Sequence, residues 1–252
     1  MNEEIIINYK SELKKCVLNL INEDTIHLGF EKKSIFIDHS HKFWFDILLQ
    51  SVNNVSTFVS ERNSSGFNVT VDPRHLHNAL SMCIDDSPIV VLLNRGTLKI
   101  VQDNASYTLP VKDFKRGNYF RNAMCEKIKG KEKDIINLME IQMSEINNAF
   151  KKIHAAEAHG IFPPRYRFKL NEESPSIRKG ANLYHNLAIS LRNYNFSGVP
   201  SNIEFSDEIK KICKIFYPEF IVKTKSYKEE VILFSQEMMN TKIYFIVGGM
   251  SD

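Results

Sequence analysis

The feature that most restricts what this chain can fold into is a succession of elements within residues 67–113 that the rest of the sequence repeats. Phe67, Val69 and Val71 alternate with polar residues, the period of a half-buried strand. Asp72 and Pro73 follow as a helix N-cap and a residue pre-shaped for the first helical turn, and Leu76, Ala79, Leu80 and Cys83 then recur at helical spacing. Asp85-Asp86-Ser87-Pro88 ends that helix. Three β-rich runs come next, at 89–93, 97–102 and 107–111, parted by Asn94-Arg95-Gly96 and Asp103-Asn104. The predicted unit is a strand, a helix and a three-strand meander.

The same order recurs on either side. A first strand at 5–9 leads to a helix from Ser11 with Leu13, Cys16, Val17 and Leu20 on one face. Alternating strands follow through Ile26, Leu28 and Phe30, then Ile35 and Ile37, then Phe43, Phe45, Ile47 and Leu49. The polar stretch 50–66, with one apolar patch at 55–59, reads as an irregular or edge-strand crossing. In a third unit Ile136, Leu138 and Ile141 read as a strand, and Ser144 is expected to cap a helix carrying Ile146, Phe150 and Ile153 as far as Gly160. Tyr166, Phe168 and Leu170 alternate, residues 174–180 read as a loop, and Leu183, Leu187, Ile189 and Leu191 as the closing strand. In a fourth unit Ile203 and Phe205 make a strand and Ser206 caps a helix with Ile209, Ile212, Cys213 and Phe216 on its apolar face. Strands at 220–224, 230–235 and 242–247 complete it. The first, second and fourth units each span about 47 residues, a fixed period that marks internal repetition. The expected class is α+β: four βαβββ units in two similar domains, 1–113 and 135–252, joined by a linker at 114–134.

With 252 residues, 43% of them hydrophobic, the chain can bury a real core, and it reads as a soluble globular protein. No run approaches the roughly 18 apolar residues of a membrane helix, and Met1-Asn2-Glu3-Glu4 does not open a signal peptide. Cys16, Cys83, Cys125 and Cys213 are far apart, which disfavours zinc fingers and points to a reducing compartment, nucleus or cytoplasm, a viral replication site included. Net charge is +3, and residues 112–134 hold eight Lys or Arg against four Asp or Glu, so the whole excess sits in that segment. Contact with nucleic acid must therefore come from a local arrangement of cations.

Such an arrangement recurs on the helices. Opposite the apolar stripes the first presents Lys10, Lys14 and Lys15, the second Arg74 and His77, the third Lys151 and Lys152, and the fourth Lys210, Lys211 and Lys214. On any single helix this is ordinary solvation. Four helices on one inner face of a continuous curved sheet would instead line one concave surface with cations.

Asp38-His39-Ser40-His41, followed by the alternating strand 43–49, resembles the Asp-x-Ser/Ala-His of the DNA sliding clamps of the proliferating-cell-nuclear-antigen type. Residues 107–113 are similar to the strand leading into the clamps' connecting loop, and Lys242-Ile243-Tyr244-Phe245 resembles their last strand. Lys42, where the clamps have an apolar residue, Gly248-Gly249, where they have a proline, and the basic connecting segment depart from the pattern. The resemblance implies a divergent processivity factor, normally a homotrimer, that encircles double-stranded DNA without sequence specificity and tethers DNA polymerase and other replication proteins. Partners would dock beside the connecting loop through His41, Phe114, Tyr119, Phe120, Tyr244, Phe245 and Ile246. The alternative is a clamp-shaped protein that does not close a ring by itself, such as a viral late transcription factor or a checkpoint-type ring subunit.

Enzyme chemistry finds little support. There is no phosphate loop, GxSxG or dinucleotide fingerprint. His154 to His159 has neither the HExxH nor the HxxEH spacing, so neither a metal nor a cofactor is expected.

Overall fold

Four times along the chain a strand leads into a helix and then into three further strands. The first passage is β1 (Glu3–Ile7), α1 (Lys10–Asn19), β2 (Ile26–Phe30), β3 (Ser34–His39) and β4 (Phe43–Leu48). The second is β5 (Phe67–Val71), α2 (Pro73–Ser81), β6 (Ile89–Asn94), β7 (Thr97–Gln102) and β8 (Ala105–Pro110), with β9 (Asp113–Arg116) added. The third is β10 (Ile135–Gln142), α3 (Met143–Glu157), β11 (Arg165–Leu170), β12 (Ser176–Lys179) and β13 (Leu187–Ser190), with β14 (Tyr194–Gly198) added. The fourth is β15 (Ser201–Ser206), a 3-10 turn (Asp207–Lys211) running into α4 (Ile212–Ile215), then β16 (Ile221–Tyr227), β17 (Val231–Glu237) and β18 (Thr241–Gly248). The computed structural model describes residues 3–7, 10–30, 34–39, 43–48, 67–84, 87–94, 96–116, 126, 130, 132–157, 165–180, 187–228, 231–238 and 241–248. The stretch 50–66 lies outside them.

Two compact units result, Met1–Lys127 with Met239–Lys242, and Ile128–Met238 with Ile243–Asp252. The first contains the sheet β1-β6-β7-β8 and the strands β4-β3-β2-β5-β9; the second contains β14-β10-β16-β17-β18 and the sheet β13-β12-β11-β15. Every pairing given in register is antiparallel, and the first strand of each repeat pairs with its neighbour's meander rather than its own. Ile5 lies opposite Val91 and Val69 opposite Leu28. Likewise Ile141 lies opposite Val222 and Phe205 opposite Tyr166. The repeats are thus interlocked in pairs.

The helices seal these sheets as their stripes require. Leu13, Cys16, Val17 and Leu20 of the first, and Leu76, Ala79 and Leu80 of the second, are buried. In the second unit an aromatic column forms the core: Phe150 meets Tyr166 edge-on at 5.3 Å between centroids, and Phe168 meets Phe205 at 5.7 Å and Phe234 at 5.9 Å. No helix among the described residues is long and apolar enough to cross a membrane.

Several local expectations need correction. Ser144 is not an N-cap, because α3 begins at Met143; the Met143 and Ser144 amides donate to the carbonyls of Phe220 (3.0 Å) and Pro218 (3.0 Å), so a turn distant in sequence satisfies the helix end. The loop read at 174–180 contains β12, paired on both sides by β11 and β13. The fourth helix is a 3-10 turn with one α-turn after it, although Ser206 does cap it, accepting from the Glu208 amide at 3.4 Å. Cys83 lies beyond the end of α2.

On β10 the inward face is Asn137, Met139 and Ile141, while Leu138 is exposed. A register shift between Ile135 and Asn137 changes the alternation there, and Asn137 Nδ2 donates to the Val199 carbonyl (2.8 Å) and to Ser201 Oγ (2.9 Å). Gly198 closes this corner with φ +107, and a Cβ on it would lie 2.4 Å from the Ile136 carbonyl oxygen. Only glycine fits there.

Candidate nucleic-acid interface

In the first unit α1 packs against α2. Burial of Leu13, Cys16, Val17 and Leu20 forces Lys15 outward and leaves Lys14 half-buried; Lys10 opens the helix. On α2, Asp72 caps the helix by accepting from the Arg74 amide at 2.8 Å, and the same carboxylate takes the Arg74 guanidinium, Nε at 3.2 Å and Nη2 at 2.9 Å. Those hydrogen bonds hold the Asp72 carboxyl down at about 2. Arg74 is thus a neutralised cation, exposed but matched, and His77 beside it is half-buried.

In the second unit Met143, Ile146, Ala149, Phe150 and Ile153 face the core, which turns Lys151 and Lys152 to solvent. Lys214 is likewise exposed on α4. Among the described residues these three lysines enter no ion pair. Lys210 and Lys211 differ: Lys210 Nζ lies 3.7 Å from Glu157 Oε2 and 3.9 Å from Asp207 Oδ1, and Lys211 Nζ 4.0 Å from Glu208 Oε1. Between α3 and the 3-10 turn lies a cleft of about 510 Å3, floored by Phe150 and Cys213 and rimmed by Lys151, His154 and Lys210. Burial pushes the Cys213 thiol up to about 12, so it is no nucleophile.

Glu157, the last residue of α3, is the hub beneath this face. Lys179, on β12 and only 5% exposed, donates to Glu157 Oε1 and to the Tyr166 hydroxyl at 3.1 Å. His154 Nδ1 lies 3.2 Å from Glu157 Oε2. Burial would raise the Glu157 carboxyl, but the Lys179 and His154 hydrogen bonds and the charges of Lys179 and Lys210 outweigh it and hold the group at about 2. Burial, with the negative charges of Glu157 and Asp207, pushes the Tyr166 hydroxyl far up, so it stays a donor. None of this was anticipated from sequence, where Lys179 fell in an expected loop. Its alternation with Ile177 was the available signal.

Solved structures similar over the whole length include the proliferating cell nuclear antigen (PCNA) of Entamoeba histolytica (10% identity, 99% of each chain, TM-score 0.70), that of A. fulgidus bound to the C-terminal region of FEN-1 (14%, 99% of each, 0.65), and a chain of the PCNA2–PCNA3 complex of Sulfolobus tokodaii (12%, 99% of this chain and 100% of that one, 0.66). The chain has the sliding-clamp fold. No family model matches it, and no curated protein is similar to it in sequence. At such identities the likeness is one of fold and not of side chains.

Of the residues expected to receive partners on this clamp fold, His41, Tyr119 and Phe120 lie outside the described residues, and Phe114 falls in β9. Phe245 and Ile246 are both buried; strand alternation turns Phe245 with Ile243 into the core and puts Ile246 on the face that carries Tyr244. Tyr244 is half-buried and lines a groove on the outer sheet face. Asp38 and His39 end β3, and Ser40 lies outside the described residues.

Proposed function

We propose that the chain is a sliding clamp of a reducing compartment, whose copies close head to tail around duplex DNA and tether replication proteins. What carries the proposal is that the likeness to sliding clamps runs over 99% of this chain, both units included. Lys15, Lys151, Lys152 and Lys214 would meet phosphates, giving contacts that are strong in sum, blind to sequence and therefore compatible with sliding.

Self-assembly is favoured over the ring-incompetent alternative by the sheet edges. Exposed edges are normally guarded by charge. Here β8 (Ala-Ser-Tyr-Thr-Leu-Pro) and β13 (Leu-Ala-Ile-Ser), each the edge of a four-stranded sheet, carry no charged residue, whereas β1 and β15 at the opposite edges do. One lies in each unit, so β8 of one copy pairing with β13 of the next is a head-to-tail contact able to close a ring. Exposed Met82 and Ile84 follow α2, which packs on β8, and add an apolar flank to that contact.

The test joins native mass to DNA retention. Three times 29.2 kDa and retention on circular but not linear duplex are expected; a monomer that leaves both DNAs equally fast refutes the ring. Reversal of Lys151, Lys152 and Lys214 to Glu should cut DNA association at least about tenfold and flatten its salt dependence. Unchanged affinity and slope would remove the inner-face assignment.

A further inference from the structure

A second surface, built from the second unit alone, has the form of a preformed docking groove. It lies on the solvent face of the sheet that contains β10, β16, β17 and β18, and encloses about 460 Å3, room for one or two side chains. Its apolar wall is Phe220, 40% exposed, and Ile221, 48% exposed, with Tyr244 opposite. Large apolar side chains left in water at adjacent positions call for a reason.

These anchors are not on a loose turn. Gln236, itself buried, accepts from the Tyr217 amide at 2.9 Å and donates to the Tyr217 carbonyl at 2.8 Å, and the Phe220 amide donates back to the Tyr217 carbonyl at 3.3 Å. The Phe220 and Pro218 carbonyls are held in turn by the first amides of α3. Tyr217 braces the Phe220 ring edge-on at 6.4 Å between centroids. Little ordering cost remains for a ligand to meet. The rim is acidic: the lining residues include the carboxylates Glu140, Glu219 and Glu237 and the ammonium of Lys223, whose Nζ lies 2.9 Å from Glu140 Oε1. The groove therefore presents an apolar wall inside a net negative border.

We propose that this groove binds a protein partner through a basic segment with an aromatic or long aliphatic anchor, the anchor packing on Phe220, Ile221 and Tyr244 while flanking Lys or Arg meet Glu219 and Glu237. It shares only Tyr244 with the surface invoked above for replication proteins, and it does not depend on ring closure.

The test is fluorescence anisotropy of the full chain with three labelled twelve-residue peptides: one with Phe-Phe between paired Arg, one with Ala-Ala in place of the aromatics, and one with Glu in place of Arg. Only the first should bind measurably, with affinity falling as salt is raised. Ile221→Ser and the pair Glu219→Lys, Glu237→Lys should each weaken it at least about tenfold. Both changes lie on the surface, and an unchanged melting temperature shows that the fold survives. Equal binding of all three peptides, no binding of the first at millimolar concentration, or binding indifferent to both variants overturns the proposal. Loss of ring mass or of DNA retention, measured separately, has no bearing on it.

Discussion

Glu157 shows how one side chain joins the stability of the second unit to its surface chemistry. Its carboxyl ionises near its ordinary value of 4.5 in the unfolded chain and at about 2 in the folded one. The stabilisation is therefore complete above about 4.5 and is lost as pH falls toward 2. Glu157→Gln is expected to remove that part of the acid-unfolding profile and to cost about 3 kcal/mol at neutral pH, since Lys179 loses its closest partner in a buried site; urea unfolding across pH 2–7 measures both. A variant whose acid limb matches the parent's would show that Lys179 and Lys210 do not depress this carboxyl. At this scale the sequence was only partly readable. Lys151, Lys152 and Lys214 point outward as their helix positions require, but the matching of Arg74 to Asp72 and of Lys210 to Glu157 depends on side-chain geometry and, for Glu157, on strands far along the chain. Helical phase alone gave no way to separate matched from unmatched cations.

Most elements were legible because their signals are local. Asp72-Pro73 and Ser206 are caps within their own segments, and both form as expected. Ser144 misled because the first amides of α3 are satisfied from 218–220, a contact that no local pattern contains. Ile136 and Leu138 misled because, beside the register shift, the buried face of β10 is Asn137, Met139 and Ile141. Gly198 belongs to the same corner, and Gly198→Ala should destabilise the chain by roughly 3 kcal/mol through strain and collision with the 136–137 backbone, read as a shifted urea midpoint at constant slope. A loss below about 0.5 kcal/mol would mean the corner relaxes. Ser106→Lys with Thr108→Lys on β8 tests the uncharged edge: the far-ultraviolet spectrum should persist while the proposed ring gives way to the mass of one chain. An unchanged multimeric mass would place the seam of the proposed ring elsewhere.

For the molecule as a whole the period of about 47 residues was the decisive signal, because a repeated βαβββ order leaves few architectures open. Its limit was pairing: periodicity marks strands without saying which lie together. The added strands β9 and β14, which sit outside the repeat, went unread for that reason. Since each repeat lends its opening strand to the other member of its pair, no single repeat contains a complete sheet. A fragment holding one repeat would expose open strand edges and remain sticky, whereas two such fragments made separately hold everything needed to find each other. A lone copy of the motif would accordingly need a second copy beside it to complete its sheets.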